Sequence, residues 1–345
     1  MLRPLAKVGA AAAVLAAATL FSASPVSSQD SGPAMGYTLL TQGGEVRDCR
    51  LATIDLTTAE VNALPAAFSG NACVNDLAVA PDGTVWGIRE GRRLALADAS
   101  FAPQAESPLS LVAFDPTTGA VTNTVTIDIP GPDGNAFLPE GGLAITPDGT
   151  VWALFAADAC DDGNQNCLWT IDPSTGSATL VGETGTLEEE MFGLAACSAG
   201  VVTLTIDGRN GPTSVPAFVP NPDVGFLDPA TGLLTEGPAI ADTVVGYDCS
   251  GSAGWALTGA SIIEDRSVPQ AVNATLTSFD PATGALSEIA AVNPAESDVV
   301  LLAVAPTVPP PPSTTTTTEA APATTSAPTT TSAASPAVVT PRFTG

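Results

Sequence analysis

The chain has 345 residues, 36 Asp and Glu against 10 Lys and Arg, a formal net charge of −26 and no His. Without His there is no Ser-His-Asp triad and no His-ligated zinc, and with Lys7 as the only Lys there is neither a Schiff-base lysine nor a P-loop lysine beyond the first residues. So acidic a chain also suits neither nucleic acid nor an anionic membrane surface, since both are held by clustered cations.

Residues 1–28 read as a secretory signal peptide. Arg3 and Lys7 make the positive end, and Val8 to Phe21 is an apolar run too short to span a bilayer. Val26 and Ser28 suit the small-residue positions ahead of a cleavage site. An uncleaved anchor is the alternative. After cleavage the protein is expected outside the cell, secreted or associated with the cell wall, with no further membrane insertion.

Residues 35–306 are self-similar. One unit is Leu111–Val125 (LVAFDPTTGAVTNTV), repeated at Leu168–Gly182, Val224–Pro238 and Leu276–Ala290, with a degenerate copy at Leu51–Leu64. The aligned acids are Asp55, Asp115, Asp172, Asp228 and Asp280. Each unit predicts a hairpin: a β-rich strand, an Asp-Pro-x-Thr-Gly turn, then a second strand. Pro presets φ, Asp bonds its own backbone, and Gly takes a positive φ. A second hairpin precedes each unit. Asp76–Ile88 (DLAVAPDGTVWGI) and Gly142–Leu154 (GLAITPDGTVWAL) are its best copies, and Gly193–Thr205 and Gly246–Thr258 are weaker ones.

Two hairpins make a four-stranded antiparallel blade, and blades at this period predict an all-β propeller. The first and last copies are incomplete in complementary ways. Gly36–Thr41 lacks a preceding inner strand, and Val299–Pro306 lacks following strands. Pairing them closes a ring of five blades and removes its open edges. A sixth blade would need strands hidden in residues 90–110, which read as a long loop.

From residue 307 onward Thr, Ser, Pro and Ala dominate, the composition of a disordered stalk. Its end, Thr340–Gly345 (TPRFTG), resembles part of a cell-wall sorting signal, although the leading Leu is missing and an extra residue separates Pro from Thr. A plain disordered end is the simpler reading.

The six cysteines are Cys49, Cys73, Cys160, Cys167, Cys197 and Cys249. An even number behind a secretory leader favours disulfides. Cys160 and Cys167 flank a short loop. Cys49 and Cys73 stand before strands whose loops share one face. Cys197 and Cys249 remain, at equivalent depths in neighbouring inner strands. Scattered thiols are the alternative.

Residues just ahead of the inner strands point to the channel mouth: Asn75, Asp76, Glu140, Glu189, Glu190, Asp242, Glu296 and Asp298. They predict a partial ring of carboxylates that could bind a ligand. Glu140, Asp76 and Asp298 are the candidates for metal ligation, with calcium as the cation that oxygen-only ligands suit. No other cofactor is indicated, and the alternative is that these acids are solvated loop ends. Asp158–Asn166 has a partly calcium-like spacing but reads first as a disulfide-pinned loop. Trp86, Trp152 and Trp255 share one second-strand position, which predicts packing between blades more readily than a sugar platform.

The Asp-Pro-x-Thr-Gly turns and Gly-Leu-Ala-x-x-Pro-Asp-Gly strands resemble those of bacterial extracellular propellers, including gluconolactonase-like, NHL-like and virginiamycin B lyase-like proteins. The gluconolactonase-like resemblance implies a divalent metal at the mouth, with Glu140 matching the leading Glu of that pattern. The family's Asn, Asn and Asp ligands have no matching positions here. The lyase-like proteins rely on a His that this chain lacks. The reading that follows is a monomeric, non-catalytic surface propeller binding an extracellular protein or glycan partner. The alternative is a calcium-dependent hydrolase of the lactonase or phosphoesterase type, using the mouth carboxylates. A structural wall component is a third possibility.

Overall fold

In the computed structural model the described residues are 35–42, 48–69, 73–89, 108–130, 136–157, 160, 166–185, 189–207, 219–220, 222–259, 274–292 and 298–305. The leader at 1–28 and the tail at 307–345 lie outside them, as do Arg92, Arg93 and most of the loop between Asp158 and Asn166.

The chain folds as a five-bladed β-propeller. Blade 1 holds β1 (Met35–Gln42), β2 (Asp48–Asp55) and β3 (Val61–Ser69). Blade 2 is β4 (Asp76–Val79), β5 (Val85–Arg89), β6 (Ser110–Phe114) and β7 (Val121–Thr126). Blade 3 is β8 (Ala136–Ile145), β9 (Val151–Ala157), β10 (Cys167–Ile171) and β11 (Ala178–Glu183). Blade 4 begins with β12 (Glu189–Cys197) and β13 (Gly200–Asp207). A two-residue strand, β14 (Val219–Pro220), then crosses to blade 5, and β15 (Asp223–Leu227) and β16 (Leu234–Ala239) complete blade 4. Blade 5 is β17 (Thr243–Ser250), β18 (Ala253–Thr258), β19 (Thr275–Asp280) and β20 (Ala285–Ala291). The last strand, β21 (Asp298–Val304), returns to blade 1.

The ring closes as the incomplete copies imply. β21 pairs antiparallel with β1, matching Gly36 with Val304 and Leu40 with Val299, and sheet order in blade 1 is β21-β1-β2-β3. Five apolar clusters fill the five seams between blades. Inner strands are buried on both faces, as in β4, where all four residues are buried. Outer strands such as β7 are almost wholly exposed. That contrast explains why inner strands read as continuous apolar runs and outer strands as polar ones.

The Asp-Pro-x-Thr-Gly turn has two jobs. Locally, the Asp115 carboxylate accepts the Thr117 N–H at 2.8 Å and the Thr118 N–H at 3.0 Å, and the other four copies repeat the bond to the second residue onward. The closing Gly also meets the preceding blade. Gly176 sits at φ 81°, its carbonyl accepts the Asp128 N–H at 2.8 Å, and a Cβ there would stand 1.9 Å from the Thr126 carbonyl oxygen. Only a residue without a side chain fits both demands.

All three cysteine pairs form: Cys49–Cys73, Cys160–Cys167 and Cys197–Cys249. The first ties blade 1 to the entry of blade 2, and the third ties inner strands β12 and β17. Between β13 and β15, Val219 and Pro220 pair with Val244 and Thr243 and add a fifth strand to blade 5.

Candidate functional site

The inner strands meet tightly on the axis. A Cβ on Gly142 of β8 would lie 2.6 Å from the Gly193 carbonyl carbon in β12, and one on Gly246 of β17 would lie 2.7 Å from Leu301 Cα in β21. Gly193 has φ 60° and Leu301 has φ 63°. Both stand where the inner strand slips register against its partner. A threonine hydroxyl fills each irregularity: Thr203 donates to the Gly193 carbonyl at 3.0 Å, and Thr38 to the Leu301 carbonyl at 2.8 Å.

Asp76, the first residue of β4, lies inside this constriction at 6% exposure. Its Oδ1 accepts the Leu77 N–H at 2.8 Å. Its Oδ2 accepts the Leu143 N–H of blade 3 at 2.8 Å and the Leu194 N–H of blade 4 at 3.1 Å. One carboxylate therefore joins three blades. Burial pushes Asp76 up to about 7, and the three N–H donors pull the other way.

Asp248 of β17 makes a similar clasp between blades 5 and 1, at 8% exposure. It accepts the Cys249 N–H and, at 2.7 Å, the Val304 N–H of the closing strand. Burial raises this carboxyl well above its ordinary range, and the charge of Asp76 adds to the effect. Between the two acids, Tyr247 donates its hydroxyl toward the Val202 carbonyl at 3.1 Å and is likewise raised by burial and by Asp76. Asp248 was not singled out by sequence reasoning. Its signal was present, since it pairs with Trp255 where Ala78 and Ala144 pair with Trp86 and Trp152. A charged residue at an otherwise small apolar position of an inner strand needs a buried partner.

Of the mouth residues, Asn75 donates its N–H to the Ile88 carbonyl at 2.7 Å, and Asp242 caps Thr243 at 2.7 Å and is half-buried. Glu140, Glu189, Glu190 and Asp298 fall in strands β8, β12 and β21, but their side chains, and all of Glu296, lie outside the described residues. Among the described residues, no three of His, Cys, Asp and Glu group closely enough to hold a metal ion. Main-chain donors already engage the Asp76 carboxylate, Oδ1 once and Oδ2 twice.

The three repeat-equivalent tryptophans pack at seams, Trp152 buried at 9% exposure and Trp86 and Trp255 half-buried. Trp169 stacks on Phe155 at 4.9 Å beside the Cys160–Cys167 bridge.

No protein-family model matches the chain, and no curated protein matches it. Among solved structures, one similar protein is the periplasmic gluconolactonase of Pseudomonas aeruginosa, at 13% identity and TM-score 0.38, covering 75% of this chain and 83% of that one. A candidate 6-phosphogluconolactonase from Bacteroides uniformis has 13% identity and TM-score 0.36, covering 75% and 82%. A protein of unknown function from Dyadobacter fermentans has 10% identity and TM-score 0.41, covering 75% and 82%. Likenesses this distant carry no argument about activity. The chain stands on its own geometry, a five-bladed propeller whose axis is stapled by two buried aspartates.

Proposed function

We propose that this chain is a secreted or surface-displayed binding head that carries out no chemistry of its own and engages an extracellular glycan or protein. One observation carries this reading: both oxygens of Asp76, the most buried of the described acids, are bonded to main-chain N–H groups of three blades. A carboxylate engaged by main-chain donors from three blades is used as a strut, which supports a structural role over metal ligation. The three disulfides support an oxidising compartment. The Thr- and Pro-rich sequence beyond residue 306 has the composition of a display stalk.

The test is turnover. The full chain is incubated with aliphatic lactones and with phosphomonoesters, with calcium and with chelator. The reading expects no hydrolysis above buffer in any condition. Calcium-dependent hydrolysis would replace it with the hydrolase alternative.

A further inference from the structure

The foot of blade 5 carries a cleft of about 340 Å³ lined by Ala253, Gly254, Trp255, Ser278, Asp280 and Ser287, with neighbouring atoms of β19 and β20. Its residues come in rows. Trp255 pairs with Ser278 and Ser278 with Ser287, so the indole and two hydroxyl residues share one sheet face. Ala253, Asp280 and Ala285 stand two positions further on and share that face too. Small residues thus form a shelf beside a half-buried indole, with Ser278 and Ser287 exposed at its side. Blade 2 carries Ala113 and Asn123 in that row, and in blade 3 the equivalent Trp152 is buried in its seam.

We propose that this cleft binds a neutral pyranose unit of a polysaccharide, which rests on the proposed binding role and names its ligand class. The chemistry is two-sided. An indole offers a broad apolar face, which matches the C–H face of a sugar ring. Ser278, Ser287 and Asp280 offer hydroxyl and carboxylate groups to the ring's hydroxyl edge. Ser278 now donates to the Ser287 carbonyl at 3.3 Å, and Asp280 accepts from Ala282 N–H and the Thr283 hydroxyl, and each oxygen keeps acceptor capacity. A wholly apolar ligand would strip water from these exposed groups without replacing its hydrogen bonds. An acidic polymer would meet Asp280 and a net charge of −26. The volume lies at the lower end of small-ligand pockets, roughly 300–1,000 Å³, which suits one or two rings of a longer chain.

The test follows the four tryptophan indole N–H signals of the full chain by NMR, with Trp255 assigned through Trp255→Phe. Neutral hexasaccharides of glucose, mannose and N-acetylglucosamine are added to millimolar concentration. The expected result is a saturable shift of the Trp255 signal by at least one of them. Ser287→Arg, a change on an exposed outer strand, weakens that shift about tenfold with an unchanged melting temperature. No shift with any of the three, or an unchanged affinity in Ser287→Arg, overturns the cleft assignment. Saccharide shifts confined to other signals overturn the cleft while leaving the binding-head reading in place. Metal-dependent turnover would sink that reading independently.

Discussion

The Asp248 carboxylate of blade 5 accepts the Val304 N–H of the closing strand at 2.7 Å, across 56 residues of sequence. This bond fastens the last strand of the ring to the inner strand of the neighbouring blade. Asp248→Ala would leave the Val304 and Cys249 N–H groups buried without acceptors. At about 1–3 kcal/mol for each of the two groups, the expected loss is about 2–6 kcal/mol, read as a lower urea midpoint. Asp248→Asn keeps one acceptor and should lose less. Equal loss in both variants would contradict the account.

The two axial acids set an unusual pH dependence. Burial raises Asp76 to about 7 and Asp248 also upward, so the folded protein holds these protons more tightly than the unfolded chain. Their contribution is full below the unfolded value near 4; that of Asp76 is lost as pH rises through about 7, and that of Asp248 as pH rises through its own raised value. The exposed turn acids behave oppositely. The Thr117 hydroxyl and N–H hold Asp115 low, and Ser174 does the same for Asp172, so their contribution is present above about 4 and lost as pH falls. The melting temperature should therefore rise as pH drops from about 8 to about 5, then fall in stronger acid. Replacing Asp76 and Asp248 by Asn should flatten the upper limb, and an unaltered limb would contradict the assignment.

Gly176 and Gly83 separate backbone strain from contact between blades. Both have positive φ, 81° and 87°, yet a Cβ on Gly83 meets nothing within 4 Å while one on Gly176 would strike the Thr126 carbonyl. Gly83→Ala should cost about 1–2 kcal/mol, the price of a left-handed alanine. Gly176→Ala should cost clearly more, because backbone must move. Chemical denaturation of the two variants gives the comparison.

The bridges differ in what they restrain. Cys197–Cys249 closes 52 residues and Cys160–Cys167 closes 7. Loop-entropy arithmetic gives about 4 kcal/mol for the first and about 2.5 kcal/mol for the second. Paired Cys→Ser variants should rank in that order by calorimetry.

Much of this architecture was legible because its signals are local. Asp-Pro-x-Thr-Gly turns recur at fixed spacing, and the orphan strands at Gly36 and Val299 fit only each other. The cysteine pairing followed once the strands were placed. The axis was not legible in the same way. Asp76 reads as a mouth acid because it precedes an apolar run, and nothing local reveals that Gly142 and Gly193 bring blades 3 and 4 close enough to give it their neighbours' N–H groups. Those approaches depend on strand irregularities at Gly193 and Leu301, and a non-glycine residue at φ 63° has no sequence signature. β14 escaped notice because two residues carry no periodicity.

The role of Asp76 decides the account, and calcium-dependent melting of the wild type beside Asp76→Ala tests it most directly. A structural staple predicts that calcium and chelator leave the wild-type melting temperature unchanged and that Asp76→Ala lowers it equally in both. A calcium-induced rise in the wild type that disappears in Asp76→Ala would show a metal ligand at the axis instead.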